Sequence, residues 1–123
     1  MTKMPTKLYT GSAVSSTIGY LLTLREQAHT DPDTFPAAER TVMGIPLPPW
    51  QRPFVWTADQ NRRFIESIWL GLHLGTYVLN KLNWHPEGGP LPFAGMLIDG
   101  QQRIRAIEAY LDGEFPVFGA YWH

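Results

Sequence analysis

The stretch Asp99-Gly100-Gln101-Gln102-Arg103 gathers a carboxylate, two amides and a guanidinium within five positions. It follows the apolar run Met96-Leu97-Ile98 and opens a segment with helical spacing at Ile104, Ile107 and Leu111. A strand that passes through Asp-Gly directly into a helix puts first-turn N–H groups, which lack intrahelical partners, beside these side chains. Such a place suits an anion, and most naturally a phosphate. Gly100 lets a ligand come close, and Arg103 can fork onto two phosphate oxygens. A second reading needs no ligand: Asp99 as N-cap, with Gln102 reaching back as in a capping box.

A second constellation lies upstream, from Ile45 to Trp56. Pro46, Pro48, Pro49 and Pro53 forbid helix and remove backbone donors, so this segment is a stiff extended strap. It presents Gln51 and Arg52 between Trp50 and Phe54, which would suit polar contact with a ligand beside an aromatic platform. Phe54 and Trp56 also sit just before a helix start, where aromatics fill core or act as a hydrophobic staple.

The elements that must position these residues follow from periodicity and caps. Ser15 or Ser16 caps a first helix with stripe Ile18, Leu21, Leu22 and Leu24, ending near Ala28. A polar loop with Asp31-Pro32-Asp33 leads to a short strand over Thr41–Ile45. Thr57 and Gln60 form a capping box for a helix whose apolar face is Phe64, Ile65, Ile68, Trp69 and Leu72, closed by Gly71 or Gly75. Thr76–Trp84 and Phe93–Ile98 read as antiparallel strands. A last helix runs from about Gln101 to Leu111 with Asp112-Gly113 as its C-cap, and Phe115–Tyr121 reads as a final strand. The class is α+β: a small, mainly antiparallel mixed sheet packed with about three helices, in one domain over 15–123 behind a tail at 1–14.

Composition narrows the function. With no cysteine, thiolate catalysis, disulfides and Cys-ligated zinc are excluded. A net charge of −1 argues against strong independent DNA binding. His29, His73, His85 and His123 show no metal-ligand spacing, and His73 suits a contact with a terminal helix carbonyl. Arg62, Arg63 and Arg105 read equally as solvated helix faces or phosphate contacts. No Walker motif is present. No apolar run is long enough to cross a bilayer and no signal peptide is evident, so a cytoplasmic protein is expected.

Two separated motifs then coincide. Ile45-Pro46 through Gln51-Arg52-Pro53-Phe54-Val55-Trp56 resembles an "IPxxQRxYxW" strap, and Leu97 to Arg103 resembles a "DGQQR" turn. Between them Arg63-Phe64-Ile65-Glu66-Ser67-Ile68 resembles a "FIDSI" helix, and Gly75-Thr76 lies where "PIG" is common. This order resembles the N-terminal domain of GmrSD-type restriction enzymes, a branch of the ParB/sulfiredoxin-like superfamily, over roughly residues 15–112. Gly100 to Ala106 is also similar, more loosely, to the ParB phosphate turn.

The resemblance implies a domain that binds, and in many relatives hydrolyses, a nucleoside triphosphate with Mg²⁺ beside a nuclease subunit. It implies that Gly100, Gln101 and Arg103, with Gln51 and Arg52, bind nucleotide. It implies catalytic roles for Asp99, Gln102 and Arg103, with Asp99 holding the metal. Arg105-Ala106 replaces the threonines usual after the turn, and the chain stops at His123, so a truncated form is expected. Sulfiredoxin chemistry is excluded because its cysteine is missing. The expected role is NTP binding or hydrolysis in a modification-dependent restriction or phage-defence protein. Two other classes fit the same chain. One is a non-catalytic interaction module, such as a phage or mobile-element inhibitor of a CRISPR or restriction effector, with tryptophans as anchors. The other is a DNA-binding or nuclease domain, which the charge disfavours.

Overall fold

In a computed structural model of the chain, residues 17–30, 39–72, 75–80 and 95–122 are described. The α+β expectation holds: three helices accompany two small antiparallel ladders. The elements in order are α1 (Ile18–Thr30), β1 (Thr41–Val42), β2 (Ile45–Pro46), α2 (Ala58–Trp69), β3 (Val78–Leu79), β4 (Leu97–Asp99) and α3 (Gln101–Leu111). β1 pairs with β2, and β3 pairs with β4 in the antiparallel sense expected for the second pair.

The helix α3 is the centre. Ile104, Ala106, Ile107, Ala109 and Tyr110 are all buried, a wider band than the Ile104–Ile107–Leu111 stripe implies. Around it pack Leu21 of α1, Val42 and Ile45 of the hairpin, Ile65 of α2 and Leu97 of β4. Each such aliphatic side chain withdrawn from water contributes about 1.5–3 kcal/mol before packing terms. Arg25 ties α1 to the end of α3 by an ion pair with Asp112 at 2.6 Å.

Several boundaries differ from the sequence reading. Thr17 caps α1: its hydroxyl accepts from the Tyr20 N–H at 3.1 Å. The helix runs to Thr30, and only Leu21 of its stripe is buried. The expected strand over Thr41–Ile45 is instead a hairpin. Val42 faces Ile45, and Met43 and Gly44 form the turn with φ of 50° and 75°. Two successive positive φ values are those of a type I′ turn, whose twist matches paired strands. Met43 tolerates this because its side chain is fully buried and its N–H donates to Glu108 Oε2 at 2.7 Å.

The Thr57–Gln60 capping box of α2 forms in both directions, at 2.8 and 3.2 Å. Trp56 does not staple onto the fourth helical position, which is the polar Asn61. Its ring meets Phe64 edge-on, centroids 5.6 Å apart. Trp69 and Leu72 are exposed, Leu72 beyond the end of α2. The segment Phe115–Tyr121 is no strand: Val117 and Ala120 bridge each other across a tight turn. The expected tail at 1–14, Ser15, Ser16, the Asp31-Pro32-Asp33 turn, His73, His85, His123 and most of the segment between β3 and β4 lie outside the described residues.

Candidate functional site

The turn from β4 into α3 is built by Gly100, not by Asp99. Gly100 is the N-cap with φ of 99° and no side-chain cap bond, so Asp99 ends the strand and Gln102 does not close a capping box. A Cβ on Gly100 would stand 2.7 Å from Cβ of Tyr77. Glycine here therefore serves both the left-handed backbone and the close approach of the segment entering β3.

Arg103 folds back toward the start of its own helix. A Cβ on Gly75 would lie 2.4 Å from its Nη1, and a Cβ on Gly100 would lie 3.5 Å from its Nη2. The guanidinium thus occupies a slot between two glycines, half-buried. Asp99 Oδ2 stands 3.8 Å from Nη2, and the Asp99 side chain is 69% exposed. A cation near a helix N-terminus meets the positive end of the dipole, which is unfavourable unless negative charge is also present. A cavity of about 160 Å³ adjoins the slot, lined by Thr17, Gly75, Thr76, Tyr77, Arg103 and apolar groups of α1, α2 and α3, Phe64 among them.

The glutamines take a different part. Gln101 Nε2 donates to the Arg52 carbonyl at 2.8 Å, and Gln102 Nε2 to the Pro53 carbonyl at 3.1 Å. Gln102 Oε1 accepts from the N–H groups of Val55 and Trp56 at 3.1 and 3.3 Å. From the other side, Gln51 Nε2 donates to the carbonyls of Leu97 and Ile98 at 3.2 and 2.6 Å. The proline-rich strap has few donors of its own, and these three amides serve its backbone and that of β4 in place of a sheet ladder. Gln101 and Gln102 are buried in doing so, while Gln101 Oε1 is buried without a hydrogen-bond partner among the described residues. Gln101 and Gln102 therefore meet the Arg52–Trp56 backbone and Gln51 meets β4, whereas Arg103 lies apart from these amides, beside Gly75, Gly100 and Asp99, and the Arg52 residue itself is exposed.

Sequence reasoning missed Arg40. Its guanidinium donates to the Gln51 and Arg52 carbonyls at 3.0 and 3.3 Å and lies 4.9 Å from the Phe54 ring centroid. No local pattern marks a residue whose partners are more than ten positions away. Gly75 left a faint signal, as a glycine just ahead of a strand. Arg62 and Arg63 are engaged along their own helix with Asp59, and Arg62 also with Glu66. Arg105 pairs with Glu108 and Glu114. Among the described residues no group of three or more histidine or acidic side chains could hold a metal ion. Among those residues, too, no helix is long and apolar enough to cross a membrane.

Residues 37–120 match the family model of the GmrSD restriction endonuclease N-terminal domain. The chain belongs to this family. No curated protein and no solved structure gives a significant match. The GmrSD N-terminal match spans the strap, α2, β3, β4 and α3, so both sequence motifs and the amides that join them fall within it. Membership ties the domain to restriction systems and hence to defence.

Proposed function

We propose that this domain binds a nucleoside triphosphate at the start of α3, as part of a modification-dependent restriction or phage-defence system. The observation that supports this is the Arg103 guanidinium, set in a two-glycine slot near the positive end of its own helix. A phosphate bound there meets Arg103 on one side and the Gly100–Gln102 amides on the other. Arg52, exposed on the strap held against this turn, is the second cation of the reading.

Gln51, Gln101 and Gln102 act by holding the strap and the turn in register. Asp99 supplies one exposed carboxylate, which fits a Mg²⁺ ion held mainly by phosphate oxygens and water. In a hydrolytic form, water attacks the γ-phosphorus, the bond to the β–γ bridging oxygen breaks, and Arg103 with the helix amides carries the developing charge.

Calorimetric titration with the four ribonucleoside triphosphates, with and without Mg²⁺, tests the reading. Binding that falls about tenfold or more in Arg103→Ala supports it. No heat from any nucleotide at millimolar concentration overturns it.

A second reading has its own observation. Trp69, Leu70 and Leu72 are all more than half exposed at the end of α2. Such a cluster suits a protein partner, a nuclease subunit or a host defence complex, and a non-catalytic interaction module. A stoichiometric complex that survives Arg103→Ala but not Trp69→Ala favours this reading over nucleotide binding.

A further inference from the structure

A cavity of about 350 Å³ lies between the strap, the first turn of α2 and the far end of α3. Neither Gly100 nor Arg103 lines it, so it is separate from the slot described above. Its volume falls within the range of sites that take small organic ligands. We propose that this cavity receives a nucleobase, with preference for one carrying an exocyclic amino group.

Its shape supports a planar ring. Phe54, Trp56 and Phe115 line it, while Ala58 and Ala109 keep it open. Each ring has a partner within the protein before any ligand enters. Trp56 meets Phe64 edge-on, Phe115 packs on Tyr110 with centroids 5.7 Å apart, and Phe54 has Arg40 and Arg105 at 4.9 and 5.9 Å from its centroid. Aromatic surfaces that need no ordering lose little entropy on binding a flat partner. Stacking of this kind is tolerant of which base is present.

Its charges are balanced. Among the described residues of the lining Arg105 is the one cation, held by Glu108 at 3.2 Å and Glu114 at 3.1 Å, while Arg40 stands over the Phe54 ring. Two guanidiniums beside two carboxylates leave no net charge to draw in an anion. Glu114, the carboxylate of the lining, keeps lone pairs beyond its contact with Arg105 and suits N–H donors, such as the amino group of adenine, cytosine or guanine. Asn61 lines the same cavity, and its amide offers a donor and an acceptor for a ring edge. Gln102 also reaches the lining, but its amide is committed to the strap backbone and leaves the choice to Asn61 and Glu114.

The test uses the full chain labelled for NMR, titrated with adenosine, cytidine and uridine, and separately with a short single-stranded DNA. Nucleosides carry no phosphate, so failure of the triphosphate reading does not alter this result. The Trp56 indole and Asn61 amide signals are expected to move saturably with adenosine and cytidine, and at least about threefold more weakly with uridine. Asn61→Leu weakens binding about tenfold. Ala58→Phe fills the cavity from an exposed first-turn position and abolishes binding, with dispersed spectra confirming its fold. Shifts with the oligonucleotide alone identify a base within a strand as the occupant, and the site stands. The proposal is overturned if neither nucleosides nor oligonucleotide move these signals, if uridine binds as tightly as the amino-bearing nucleosides, or if Ala58→Phe binds as the parent does.

Discussion

Gln102 faces Pro53 across the junction of strap and helix, its Nε2 donating to the Pro53 carbonyl at 3.1 Å. The same amide accepts from Val55 and Trp56, so one buried side chain serves three backbone groups of a segment that cannot form a ladder. Removing it leaves those groups without partners, which costs more than the bonds are worth in isolation. Gln102→Ala is expected to lower stability by about 2–4 kcal/mol. Urea denaturation measures this. Unchanged stability together with lost nucleotide binding would mean that Gln102 contacts ligand and does not anchor the strap.

Gly75→Ala acts through Arg103. The added methyl group would sit 2.4 Å from Nη1, and the backbone there has φ of 83°, so the guanidinium must leave its slot. Nucleotide affinity is expected to fall about as far as in Arg103→Ala. The double variant should be no worse than Arg103→Ala alone, since both changes remove one group from one place. Additive losses would show that Gly75 acts independently of Arg103.

Glu108 stabilises the hairpin from within α3. Its Oε2 accepts from the Met43 N–H at 2.7 Å, at a turn residue that is fully buried with positive φ. Glu108→Ala removes a charged acceptor and is expected to cost about 2–3 kcal/mol, with Glu108→Gln milder. Hydrogen exchange at the Met43 amide provides a local check. Protection that persists in Glu108→Ala would show that the turn is held by packing alone.

Parts of this architecture were legible because they are local. The Thr57–Gln60 box, the Asp112 C-cap and the three helices follow from signals within a few residues. Asp99–Arg103 was located as a strand-to-helix turn for the same reason. The identity of the N-cap was not: Gly100 takes that place because Tyr77 packs against it, a contact between distant segments. The turn at Met43-Gly44 was hidden because methionine carries no positive-φ signal, and burial with Glu108 decides it. The glutamines show the largest gap. Their side chains suit a ligand as well as a backbone, and only the course of the proline strap reveals that Gln51, Gln101 and Gln102 satisfy main-chain groups.

The first turn of α2 carries a pH-dependent contribution with a definite sign. The hydrogen bond from Arg62, aided by the charge of Arg63, holds the Asp59 carboxyl below the usual carboxylate range, and Asp59 in turn holds the Arg62 guanidinium above its ordinary value. A carboxylate with a depressed folded-state pKa stabilises the fold above its unfolded value, near pH 4, and that stabilisation fades as pH falls through the folded value. Asp59 is exposed, so the effect is small and screened by salt. The expected outcome is that Asp59→Asn loses slightly less stability than the parent between about pH 5 and pH 2. Parallel acid titrations followed by helix circular dichroism, at low and high salt, measure the difference. A variant that loses more stability than the parent on acidification would mean that Asp59 opposes folding at neutral pH.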